Sequence, residues 1–140
     1  MKILLAVDGS DYSQRMLEYL AAHPAWFGPA HEYTALAVVP AITAHAARFL
    51  SRADCEAFYR DTAEESLAPV RAFAERQGWR IDCVHVAGHA AEAIAAYTQQ
   101  HGFDLLVMGS HGRSALTNVV LGSVATGVLA RCRVPVLLVR

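Results

Sequence analysis

The chain has 140 residues, 54% hydrophobic and 18% charged, with a formal net charge of −1. That length holds one domain with a core that needs no disulfide or metal, and it leaves no room for a second. The near-neutral charge, with no Lys/Arg run or basic tail, excludes the electrostatic footprint of a nucleic-acid binder, and no apolar stretch reaches the ~18 residues of a membrane span.

Lys2–Val7 is an apolar run that stops at Asp8, too short for a signal-peptide core, and it reads as a strand. Ser13–Ala22 has helical composition. Pro24, Gly28-Pro29 and Pro40 flank a second strand, Tyr33–Val39. A long helical stretch follows from Thr43 to Arg76, in which Ala46, Phe49, Leu50, Ala53, Ala57 and Phe58 recur at helical spacing and predict a core-facing stripe. Pro69 lies inside it. An interior proline costs ~3 kcal/mol, so a kink or break into two helical pieces is predicted there. Gly78 sits where that helix should end, a position that favours positive φ. Arg80–Val86 is a third strand, Ala90–Gln100 a helix closed by Gly102, Leu105–Met108 a fourth strand, Ser123–Cys132 a helix and Val136–Val139 a fifth strand. Pro135 just before the last strand suits a sheet edge, where a missing donor is tolerated.

Strands alternating with helices predict right-handed crossovers and an α/β fold: an open, mainly parallel sheet with helices on both faces. Cys55, Cys83 and Cys132, without a C-x-x-C pair, predict reduced, buried thiols and a cytoplasmic location with no membrane contact. The seven histidines include no H-E-x-x-H helix, and His85 and His89 straddle a strand end, so no histidine metal site is predicted.

The chemistry concentrates where Leu105-Leu106-Val107-Met108 empties into Gly109-Ser110-His111-Gly112, and nine further residues lead to Gly122-Ser123. This is not a Walker A loop, which needs a lysine and a hydroxyl after its last glycine, nor the dinucleotide fingerprint, whose spacing fails. Gly109 and Gly112 would let the chain turn sharply and let an anion reach bare backbone. Arg113 would add a positive charge. Gly122-Ser123 would open the last helix, offering unpaired N–H groups and the Ser123 hydroxyl. Either pair alone reads as a turn or packing device, whereas both together predict a phosphate site for a nucleotide. On that reading Gly122→Val abolishes binding and leaves the fold intact. A hydrolase built on Ser110 or Ser123, His111 and Asp8 or Asp104 lacks the G-x-S-x-G elbow, and Asp104 precedes the fourth strand, at the far end from His111. No arginine finger or pair of metal carboxylates is recognisable, so no catalytic residue is assigned and any nucleotide hydrolysis is expected to be slow.

The glycine segment resembles the G-x2-G-x9-G-(S/T) signature of the ATP-binding branch of the universal stress protein family. The similarity covers essentially the whole chain. Ile3-Leu4-Leu5-Ala6-Val7-Asp8-Gly9-Ser10 is similar to the family's opening strand and turn, the run from Asp104 to Gly112 to its fourth strand and loop, and Val134-Pro135-Val136-Leu137-Leu138-Val139 to its closing strand. The resemblance implies one such domain over 1–140, a Rossmann-like sheet of order 3-2-1-4-5, as in adenine nucleotide alpha hydrolase-like folds, and ATP, ADP or AMP as ligand. Asp8 matches an aspartate near the ribose and phosphates, the candidate Mg²⁺ ligand, while Asp-Gly-Ser is also a common helix-start sequence. Val38 or Val39 matches the position that meets adenine. Gly109, Gly112, Gly122 and Ser123 match the phosphate-binding turns, lined by Met108, Ser110, His111 and Arg113.

The implied function is a nucleotide-dependent regulatory or stress-response module, in which bound nucleotide orders the loop from Gly109 to Gly122 and changes the surface shown to a protein partner. The alternative is a nucleotide-free dimeric member acting through protein contacts, against which the intact signature speaks. Pairing of the final strands implies a homodimer. One departure is Gly88-His89-Ala90, where the family commonly has a Gly-x-Pro turn.

Overall fold

The computed structural model describes residues 1–113 and 120–140. Five strands, β1 (Lys2–Val7), β2 (Glu32–Val39), β3 (Ile81–Ala87), β4 (Leu105–Gly109) and β5 (Val136–Val139), form a parallel sheet in the order β3-β2-β1-β4-β5. The helices between them are α1 (Asp11–Ala22), the short α2 (Ala44–Ala47), α3 (Arg52–Gln77), α4 (Ala90–Gln100) and α5 (Ser123–Leu129).

Alternate residues of a strand point to opposite faces, and the central strand β1 is buried on both. Ile3, Leu5 and Val7 join Met16, Leu17 and Leu20 of α1 and Leu67, Val70 and Phe73 of α3 in one core. Leu4 and Ala6 join Leu106, Met108, Ile94 of α4 and Val128 of α5 in the other. This double burial is why β1 is apolar at every position from Ile3 to Val7 instead of alternating.

Two expectations from the spacing are corrected. The helix is not broken at Pro69: α3 runs through it, and the break falls earlier, between Ala47 and Arg52. Pro69 is on the exposed side of α3, and the carbonyl that the proline leaves without a donor belongs to exposed Glu65, where solvent can reach it. The restart is set by Ser51, whose Oγ accepts from the Asp54 N–H at 3.0 Å while the Asp54 carboxylate accepts from the Ser51 N–H at 3.1 Å, a reciprocal capping box. The predicted stripe is not core either, since Phe49, Leu50 and Phe58 are 78%, 41% and 49% exposed. The buried positions of α3 begin only at Ala63, where strands lie beneath the helix; periodicity reports a face, not whether a sheet covers it. The three cysteines are half-buried and unbridged rather than fully buried. Gly78 closes α3 at φ 66°, as its place predicts. Among the described residues no helix is long and apolar enough to cross a membrane.

Candidate functional site

β1 and β4 are neighbours in the sheet, and their carboxyl ends carry Asp8 and Gly109. The chain leaves β1 toward α1 on one face and leaves β4 toward α5 on the other, so a crevice opens between the two departures. Its volume is about 630 Å³. Of the residues named from the sequence, Asp8, Val38, Met108, Gly109, His111, Gly112, Arg113, Gly122 and Ser123 line it.

The two others lie elsewhere. Val39 is buried in the core beneath α3, because strand alternation sends its neighbour Val38 to the crevice face. Ser110 is buried just past the end of β4: its N–H donates to the Val139 carbonyl at 2.8 Å, its carbonyl accepts from the Gly122 N–H at 2.8 Å, and its Oγ lies 3.0 Å from His111 Nδ1. His111 is itself buried, its ring 5.0 Å from that of Tyr12. The lining also includes the apolar Ala6, Ala90, Ile94 and Val124, and Ser13. The signal for Ala90 and Ile94 was their i, i+4 spacing at the start of the helix after the third strand.

Asp8 lines the crevice but does not cap α1, whose N-cap is Ser10, its Oγ accepting from the Ser13 N–H at 3.4 Å. Asp8 Oδ1 accepts from the Ser10 N–H at 3.0 Å and from the Ser13 hydroxyl at 2.8 Å, while the Asp8 N–H donates to Ser13 Oγ at 3.0 Å. Oδ2 lies toward Gly112, where an added Cβ would stand 2.6 Å away. Among the described residues no group of three or more His, Cys, Asp or Glu could hold a metal ion.

The signature glycines serve close packing, the alternative that the sequence offers for either pair alone. Positive φ occurs at Gly9, Gly78, Gly88 and Gly102, and at none of Gly109, Gly112 and Gly122. A Cβ at Gly109 would stand 2.7 Å from Tyr12 Cβ, and one at Gly122 would stand 3.0 Å from both His111 Cα and the Ser110 carbonyl oxygen. These residues let the β4 loop, the β1–α1 turn and the start of α5 close on one another. A valine at 122 would therefore strike backbone first, contrary to the expectation that the fold would survive it. The Arg113 guanidinium is engaged at the α3 side of the rim, with Nε donating to the Asp8 carbonyl at 2.6 Å.

An open parallel sheet with a crevice at the reversal of strand order, lined by apolar side chains and by glycines, defines a Rossmann-like α/β protein. The model of the universal stress protein family matches residues 1–140, and the chain belongs to that family. Universal stress protein Slr1230 of Synechocystis sp. is 32% identical over 140 residues, covering 99% of this chain and 42% of that protein, so the chain spans about two-fifths of that relative's length. The solved structure of MJ0577 from Methanocaldococcus jannaschii superimposes with a TM-score of 0.77 at 26% identity, covering 99% of this chain and 94% of the other. A universal stress protein in complex with cAMP gives 0.72 at 22% identity (100% and 97% covered), and an Arabidopsis thaliana member with AMP bound gives 0.70 at 16% (99% and 90% covered). At those identities the likeness to the last two establishes the shared fold.

Proposed function

We propose that the chain binds an adenine nucleotide, ATP or its products ADP and AMP, in the switch-point crevice and acts as a nucleotide-dependent regulatory or stress-response module. The observation that carries this reading is the crevice itself, which joins apolar side chains to glycines within about 630 Å³. Adenine lies against Val38, Ile94 and Met108, and the phosphates lie toward Gly109, His111, Gly112, Gly122 and Ser123. The complexes with cAMP and AMP in two proteins of this fold support the ligand class.

Asp8 places a negative charge at the phosphate end, so a triphosphate calls for Mg²⁺ between them. Among the described residues no glutamine and no pair of carboxylates lines the crevice to orient an attacking water, which supports slow turnover at most. Residues 114–119 of the loop that nucleotide is proposed to order lie outside the described residues. β5 is an edge strand whose Val136, Leu137 and Leu138 are half-buried, which supports a homodimer paired through it. Three unbridged cysteines support a cytoplasmic location.

Charge-assisted hydrogen bonds contribute ~1.5–3 kcal/mol each, so three or four suffice for roughly micromolar affinity once association costs are deducted. Calorimetric titration with Mg-ATP and with AMP tests this. Heat that saturates at stoichiometric ligand is expected, and no heat together with no thermal shift at millimolar nucleotide would remove the proposal. Light scattering tests the dimer, which a monomer at micromolar concentration would refute.

A further inference from the structure

Arg113 follows Gly112 in the β4 loop, and its side chain crosses to the opposite lip of the crevice. Nε donates to the Asp8 carbonyl oxygen at 2.6 Å, a short charge-assisted hydrogen bond. Nη2 lies 3.5 Å from Oγ of the buried Ser66 and 3.9 Å from a carboxylate oxygen of Glu65, both on α3. The Glu65 pair joins side chains more than half exposed and contributes little. Beneath the guanidinium is Gly9, at φ 74°, where a Cβ would stand 3.0 Å from Nη2 and 3.2 Å from Ser66 Oγ. The arginine thus occupies a slot that a side chain at position 9 would narrow. On the same loop Gly112 abuts the Asp8 carboxylate, so two successive residues hold the β4 loop to the β1–α1 turn.

We infer that Arg113 is a positioning residue, a tether that sets the width of the crevice by joining the β4 loop to the β1–α1 turn and α3, and not a ligand of phosphate. This rests on the reading that the crevice binds an adenine nucleotide. The two roles differ in their dependence on ligand charge. A phosphate ligand favours ATP over adenosine, whereas a tether preorganises the same two lips for both. Lysine does not substitute, because a single ammonium has no planar fork to meet the Asp8 carbonyl and Ser66 together.

The test is calorimetric titration of Arg113→Lys and Arg113→Met with adenosine, AMP and Mg-ATP, well below the melting temperature of each variant. All three dissociation constants are expected to rise by one common factor of about ten in both variants, the loss of one charge-assisted hydrogen bond. Ser66→Ala is expected to produce a smaller loss of the same kind and to add nothing to Arg113→Met. A loss for ATP several times that for adenosine, or recovery by lysine, assigns Arg113 to the phosphates and overturns the inference. Unchanged affinities with a lowered melting temperature leave only a structural role and overturn it equally. Should the unaltered protein bind none of the three ligands, the nucleotide reading fails, and the tether is judged by amide hydrogen exchange. Arg113→Met then speeds exchange at Ser10 and Gly122, whose N–H groups donate to Asp8 Oδ1 and the Ser110 carbonyl; unchanged exchange there refutes the tether.

Discussion

Gly112→Ala is expected to destabilise the fold through one identifiable contact. The new methyl carbon would stand 2.6 Å from Asp8 Oδ2, about 0.8 Å inside the 3.4 Å at which ordinary van der Waals contact begins. Gly112 does not have positive φ, so backbone strain adds nothing. The carboxylate does not swing aside freely, because Oδ1 is held by the Ser10 N–H and the Ser13 hydroxyl. Either the loop retreats, at an overpacking cost of ~1–3 kcal/mol, or a hydrogen bond to the carboxylate is given up at ~1.5–3 kcal/mol. The expected loss is about 2 kcal/mol, read by urea denaturation with an unchanged m value. The same substitution in an Asp8→Ala background removes the obstacle, and there Gly112→Ala should cost under ~0.5 kcal/mol, although Asp8→Ala itself weakens the start of α1. An equal cost in both backgrounds would refute the contact as the cause.

Ser51→Ala removes one half of the capping box and is expected to cost about 1 kcal/mol. Because the buried positions of α3 begin at Ala63, the effect should be local, with lower helicity and faster amide exchange over residues 52–58; unchanged exchange there would count against the cap. Tyr33 donates to the Gly28 carbonyl at 3.1 Å, and burial pushes its hydroxyl up to about 12 from 10.0. A folded value above the unfolded one means that this contribution is complete below pH 10 and is lost as pH rises toward 12, by at most about 3 kcal/mol. Tyr33→Phe should flatten that part of the stability curve, and identical alkaline slopes in the two proteins would refute it.

Much of the fold was legible because its signals are local. The apolar run of β1, the helix end at Gly78 and the edge position of β5 after Pro135 each depend on residues close in sequence. The break before α3 was also local, written in Ser51 and Asp54, but the proline at 69 carried the more familiar signal. The stripe through Phe49 and Phe58 was misread because helical spacing is the same whether or not a sheet lies beneath it.

For this protein the succession of strands and helices along the chain, the two-sided burial of the sheet and the glycine-rich turn after β4 follow from composition and spacing, since each rests on short-range chemistry. Tertiary structure alone decided that Val38 and not Val39 faces the crevice, because that choice depends on which side of the sheet the crevice opens. It also decided that Gly112 is small to clear Asp8, and that Arg113 reaches Asp8 and Ser66. Those atoms belong to segments far apart in the chain, and only the closing of β4 against β1 beside α3 brings them within bonding distance.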